Sequence, residues 1–159
     1  MFKETEFSST QEIRDAVSAA AGEDVAVFDY MRVQMNGEAF LLPVPAVLGI
    51  LRPVTLTPVP MAPDHLMGVA NIRGQIFCIV DPGKALHLKQ ARKAQDTNSR
   101  FLLLRHARVN LGMWVEEVFD LHRVREDELP EDTGHVYQTG VINTQHGDLP
   151  ILRVQVLFD

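Results

Sequence analysis

Residues 68–83 read GVANIRGQIFCIVDPG, and this segment contains the clearest strand and turn signals of the chain. Residues 76–80 form a short apolar run, which is typical of a buried strand. Asp81, Pro82 and Gly83 end it, because this combination favours a turn. Upstream, Gly68 and Gly74 bracket a short segment in which glycine permits tight turns and close backbone approach. The segment predicts β structure bounded by turns.

Further strands are predicted on both sides wherever apolar or alternating residues end at turn signals. They cover residues 25–33, 38–42, 46–51, 75–80, 101–104, 109–118, 121–124, 139–143 and 149–152. Asn36 and Gly37 predict a tight hairpin between the first two, since both residues tolerate positive φ. A second turn is predicted at His146-Gly147-Asp148. Many short strands with frequent turns indicate an all-β barrel or sandwich.

Two segments depart from this pattern. Residues 52–63 contain four prolines, which remove ladder donors, so we expect an extended crossing loop rather than a central strand. Residues 10–21 have apolar side chains at helical spacing after a capping box at Ser9 and Glu12, so we expect a short amphipathic helix. We therefore divide the chain into an N-terminal extension, residues 1–24, and one domain, residues 25–159.

Composition narrows the function. The chain has 159 residues, 46% of them apolar, and a net charge of −6. One domain of this size buries a large core without a metal or disulfide. An acidic domain is a poor partner for nucleic acid or anionic lipid, and no apolar run is long enough to enter a membrane. We expect a cytoplasmic location.

The sequence offers little catalytic chemistry. Its serines lack a nucleophile-elbow context, and the single cysteine, Cys78, lies among apolar residues where a thiol is unreactive. Six histidines show no paired metal-binding spacing, so we expect no metal and no cofactor. Asp81 follows a strand, but its Pro-Gly context favours a turn over a phosphoacceptor role. No enzyme is predicted.

Five motifs give the chain a family resemblance. Residues 43–63 contain a proline-rich loop, residues 68–74 read GVANIRG, and an apolar strand then ends in Asp81. Residues 111–118 read LGMWVEEV, and residues 139–152 read as a closing hairpin. Together they resemble the CheW-like domain of bacterial chemotaxis over residues 29–158. The GVANIRG segment is similar to that of versions serving pilus-driven twitching systems.

The resemblance implies two intertwined SH3-like five-stranded barrels around a shared core. It also implies a non-enzymatic adaptor, recruited to membrane receptor arrays, that couples chemoreceptors to a kinase. Its partners would be the cytoplasmic hairpin tip of a receptor and the regulatory domain of a CheA-like histidine kinase.

Site residues follow from the same resemblance. Receptor binding is assigned to Val47, Gly68, Val69, Asn71 and Arg73, and kinase binding to Arg52, Pro53, Val54, Thr55 and Thr57. Gly74, Asp81 and Gly83 are assigned to structural turns. For Gly68, Asn71, Arg73 and Gly74, a turn that only holds the barrels together stays an equal alternative. Among the neighbours of Val47, we expect Ile50 to belong to the core.

Two positions depart from the family pattern. Gly49 stands where the family has a glutamate, so Arg73 would need another acceptor. Glu116 stands where the family has an aspartate. Alternatives to the adaptor are therefore a CheW-like module that binds one partner and has lost receptor coupling, and a small β-barrel enzyme.

Overall fold

The computed structural model describes residues 25–158 and builds them from ten strands. These are β1 (Val27–Met35), β2 (Glu38–Pro43), β3 (Val47–Leu51), β4 (Leu66–Ile72), β5 (Gln75–Val80), β6 (Arg100–Leu104), β7 (Leu111–Val115), β8 (Glu117–Arg125), β9 (Gln138–Thr144) and β10 (Gly147–Leu152). A single helical turn, α1 (Pro82–Ala85), follows β5, and 3₁₀ turns occupy Val44–Ala46, Glu126–Glu128 and Val154–Phe158. The predicted N-terminal helix, residues 10–21, lies outside the described residues.

The ten strands form two curved five-stranded sheets. The first sheet has the order β8-β1-β2-β10-β9, and the second has the order β3-β6-β7-β5-β4. The chain leaves the first sheet through Val44–Ala46 and returns to it at Glu116, between β7 and β8. The second sheet is thus inserted between β2 and β8, which confirms the all-β fold of two barrels.

The strands β2 and β6 are buried on both faces, because their alternate side chains enter different cores. Phe40 and Leu42 of β2 pack in a central core with Leu102 and Leu104 of β6. Leu41, between the two β2 residues, faces a core inside the first barrel. Phe101, Leu103 and Trp114 fill the core of the second barrel. The central core therefore joins the barrels, as predicted.

The first hairpin forms as predicted. Asn36 and Gly37 take φ values of 52° and 78°, which suit a tight turn between β1 and β2. β1 also pairs with β8, and the register shifts between Arg32 and Val33 because Phe119 is an extra residue on β8. Such a bulge re-aims the side chains that follow it.

The sequence predictions were wrong at one strand, one undetected strand and one turn. Residues 109–118 do not form one strand, because the chain changes sheets at Glu116. The strand β4 was not predicted, because Gly68 and Asn71 weaken its strand propensity. Its strand conformation depends on pairing with β5. The turn before β10 lies at Gln145 and His146, while Gly147 and Asp148 already belong to the strand.

Candidate protein-interaction surface

A groove opens on the second barrel where β3 faces the β4–β5 turn. It has a volume of about 350 Å³ and is lined by Leu48, Gly49, Ile50, Leu51, Ile72, Arg73, Gln75, Phe77 and Leu103. β3 and β4 are the two edges of the second sheet, so sheet curvature brings these distant segments together. Its walls are apolar, and Arg73 supplies the cation among the lining residues.

The exposed face of β3 differs from the prediction. Ile50 is 46% exposed and Leu48 is 51% exposed, so both point outward along the strand. The expectation that Ile50 belongs to the core was wrong, because β3 has alternating exposure and Ile50 falls on the open face. Val47 is half-buried and packs against the central core. The apolar contact surface of β3 is thus carried by Leu48 and Ile50.

The β4–β5 turn presents Arg73. The Asn71 side-chain oxygen accepts a hydrogen bond from the Gly74 backbone N–H at 3.0 Å, which closes the turn. Arg73 and Gly74 take φ values of 54° and 82° there. The Arg73 side chain is exposed and has no hydrogen bond or ion pair with any residue of the 25–158 range.

Gly49 lines the same groove as this arginine. A Cβ added at Gly49 would lie 3.8 Å from Leu103, which also lines the groove. A side chain at position 49 would therefore begin inside the groove that Arg73 borders. With glycine in that position, the Arg73 guanidinium has no acidic neighbour from β3.

The segment with the predicted kinase-binding residues, 52–57, lies against β4. Thr57 and Val69 exchange two backbone hydrogen bonds of 2.8 and 2.9 Å, which hold the proline-rich loop on the sheet. A Cβ on Gly68 would lie 2.8 Å from the Thr57 carbonyl oxygen, so glycine is needed for this approach. Arg52, Val54, Thr55 and Thr57 are exposed, while Pro53 is half-buried.

Asp81 is buried and organises the turn after β5. Its Oδ1 accepts hydrogen bonds from the Gly83 and Lys84 backbone N–H groups, at 3.0 and 3.3 Å, and so caps α1. Its Oδ2 accepts from the Arg92 Nε at 3.0 Å, and that guanidinium lies 4.7 Å from the Trp114 ring centre. This anchored aspartate borders a polar cavity of about 670 Å³.

Glu116 ties the two barrels together. It is 1% exposed and accepts hydrogen bonds from the Gln34 side chain and from the Gly37 and Lys93 backbone N–H groups, at 3.0, 2.9 and 2.8 Å. Burial alone would raise the pKa of the Glu116 carboxyl. These hydrogen bonds and the Lys93 charge outweigh burial and lower its pKa below the usual value.

The sequence reasoning missed two groups of residues. Leu48 and Ile50 were not recognised as an exposed apolar pair, because β3 is apolar on both faces and its sequence does not show which face is covered. Asp120, His122 and His146 meet with their ligating atoms within 4.8 Å of one another. The D-x-H spacing on β8 was a signal for part of that cluster, but His146 lies far away in sequence.

A family model for the CheW-like domain matches residues 29–159. The chain belongs to the CheW-like family. Among curated CheW-like proteins, it is 26% identical to a chemotaxis protein CheW of Helicobacter pylori over 122 residues, which is 74% of this chain and 73% of that protein. It is 22% identical to the chemotaxis protein CheW of Treponema pallidum, over 82% of each chain.

The architecture agrees with a solved CheW-like structure. The scaffolding protein TtCheW from Thermoanaerobacter tengcongensis superposes with a TM-score of 0.71 at 18% identity, covering 79% of this chain and 88% of that one. Within residues 25–158, no helix has the length and apolar character needed to cross a bilayer.

Proposed function

We propose that this chain is a non-enzymatic chemotaxis adaptor that couples a receptor to the regulatory domain of a histidine kinase. The observation that carries the proposal is the apolar groove bordered by Arg73, a cation with no acceptor among residues 25–158. Its relatives are named as chemotaxis and scaffolding proteins, which supports the same role. Such an adaptor works in the cytoplasm, at receptor arrays.

The groove suits one face of a helical hairpin. Leu48 and Ile50 offer apolar contact along β3, and Arg73 stands opposite them on the β4–β5 turn. An amphipathic helix binds such a groove through apolar residues one turn apart. A carboxylate on the same helix would pair with the Arg73 guanidinium, which binds carboxylates through two parallel hydrogen bonds. We expect the receptor segment to carry that acidic residue.

The loop on β4 suits a second partner. Its exposed residues include Arg52, Val54 and Thr55, and Thr57 holds the loop on the sheet. Because Thr57 already pairs with Val69 on the edge strand β4, a partner that packs on this loop would contact its exposed side chains. None of the loop residues 52–57 lines the groove, so the two partners would contact different side chains of one adaptor.

Titration calorimetry tests both contacts separately. Arg73→Ala should weaken binding of the receptor hairpin by about tenfold or more, since buried arginines at interfaces often contribute above 1.4 kcal/mol. It should leave binding of the kinase regulatory domain unchanged. Val54→Asp should have the opposite selectivity. Arg108→Ala, which removes an exposed arginine from another loop, is the matched control.

The alternative is a CheW-like module with a single partner. The observation that favours it is Gly49, which leaves Arg73 without an acidic residue on β3. Light scattering of the chain mixed with both partners distinguishes the two functions. A ternary complex supports the adaptor, whereas a kinase complex that never recruits the receptor hairpin supports the single-partner module.

A further inference from the structure

A cluster of two histidines and an aspartate lies on the first barrel, away from the groove. Asp120 and His122 are two residues apart on β8, so their side chains share one face of the strand. His146 lies in the turn between β9 and β10. One ligand atom from each residue, a carboxylate oxygen of Asp120 and a ring nitrogen of each histidine, lies within 4.8 Å of the other two.

The distances in this cluster match those between ligands of one metal ion. His122 Nε2 lies 3.1 Å from Asp120 Oδ1, and His146 Nε2 lies 3.7 Å from Asp120 Oδ2. Ligands about 2.0–2.2 Å from a tetrahedral Zn²⁺ are separated by about 3.3–3.5 Å. These two separations bracket that value, so the Asp120 carboxylate lies at a ligand-to-ligand distance from both histidines.

His122 supplies the second observation. Its Nε2 is shielded from solvent and makes no hydrogen bond to any described residue, although Asp120 Oδ1 is near. The two atoms are close, but they are not aligned as donor and acceptor. A buried polar atom without a hydrogen bond is costly. A metal ion held by both atoms would remove that cost.

The surroundings fix the ligands in position. Arg32 donates two hydrogen bonds to the Asp120 carboxylate, at 2.9 and 3.0 Å, and so holds its orientation. Each carboxylate oxygen has a further lone pair for a metal. The turn that carries His146 is closed by Thr144, whose hydroxyl accepts from the His146 backbone N–H and donates to the Gly147 carbonyl. Neighbours of this kind orient metal ligands in proteins.

We propose that Asp120, His122 and His146 bind a Zn²⁺ ion, with water completing the tetrahedron. The site joins opposite edges of the first barrel, because β8 and β9 end its sheet on either side. A cavity of about 270 Å³ separates those edges, lined by β8 residues including His122 and by β9 residues including Thr144. The metal would therefore link the two edges and close the seam of the barrel. Imidazole and carboxylate ligands favour zinc over calcium or magnesium.

Calorimetric titration of the full chain with zinc chloride tests the site. We expect one equivalent to bind and to raise the unfolding temperature, since a ligand that binds only the folded state stabilises it. His146→Gln should lower the affinity by more than tenfold and remove the thermal shift, without changing the metal-free unfolding temperature. His87→Gln, which alters an exposed histidine elsewhere, should change neither quantity.

Cobalt provides a second readout. Bound Co²⁺ should show the intense visible absorption of tetrahedral coordination in the wild-type chain and in His87→Gln, but not in His146→Gln or His122→Gln. His122 is half-buried, so circular dichroism must first show that its variant is folded, and His146→Gln carries the test if it is not. The proposal is overturned if the wild-type chain binds no zinc. Zinc binding that is unchanged in His146→Gln overturns it equally.

Discussion

Replacing Glu116 with glutamine should destabilise the protein by about 2–3 kcal/mol, because a hydrogen bond to a charged group contributes about 1.5–3 kcal/mol. The substitution keeps the shape of the side chain and therefore opens no cavity. Glu116 Oε1 accepts from Gln34 and Gly37, and Oε2 accepts from Lys93. A glutamine NH₂ at either position must face an N–H donor. At least one donor is left without an acceptor, and the remaining bonds lose the carboxylate charge.

Urea unfolding measures this loss, followed by the fluorescence of Trp114, which is buried and is the single tryptophan of the chain. Glu117→Gln is the matched control, since the neighbouring side chain is only half-buried and forms no side-chain hydrogen bond or ion pair among residues 25–158. We expect the control to change the free energy of unfolding by less than about 0.5 kcal/mol. Equal stabilities for the two variants would refute the role assigned to Glu116.

The pH dependence provides an independent check. The folded state lowers the pKa of Glu116 below 4.5, so the unfolded chain binds more protons in the window between the two pKa values. The stabilisation is complete above that window and is lost as pH falls through the folded pKa. The stability difference between wild type and Glu116→Gln should therefore shrink at acidic pH. A difference that stays constant or grows on acidification would show that the carboxylate charge is not its source.

Two further predictions concern Gly68 of β4 and Asp81 of the turn after β5. Gly68→Ala should displace the proline-rich loop, because its Cβ would approach the Thr57 carbonyl to 2.8 Å. Hydrogen exchange at the Thr57 amide should accelerate, whereas Gly49→Ala, with ordinary contacts, should leave it unchanged. Asp81→Ala should cost about 1–2 kcal/mol through loss of a helix cap, measured by urea unfolding. Asp64→Ala, at an exposed position, should cost much less, and equal losses would contradict the capping role.

Local sequence signals were sufficient for most of the fold. Asn36 and Gly37 define a hairpin because both tolerate positive φ, and the tertiary structure does not alter this preference. β4 escaped detection because its glycine and asparagine residues weaken strand propensity, and only pairing with β5 compensates. The break between β7 and β8 at Glu116 was not predicted either. A single glutamate within an apolar run does not indicate that the chain passes from one sheet to the other.

The candidate site was predictable only through the family resemblance. The GVANIRG motif indicated Arg73 as a binding residue. Glycine at position 49, where the family has a glutamate, indicated that Arg73 needs another acceptor. Whether Ile50 is exposed depends on which face of β3 the second barrel covers, and the sequence of β3 is apolar on both faces. The meeting of Asp120, His122 and His146 depends on barrel closure, which no local pattern encodes.

The sequence by itself determined most of the strands, the hairpin at Asn36 and Gly37 and the absence of an obvious catalytic motif, because these depend on side-chain type and on neighbours along the chain. Tertiary structure alone decided which core each apolar residue enters. In the run from Phe101 to Leu104, successive side chains alternate between the second-barrel core and the central core. It also placed Gly49 beside the groove of Arg73, and His146 beside β8. Sheet curvature brings these residues together, and curvature arises from the packing of both barrels at once.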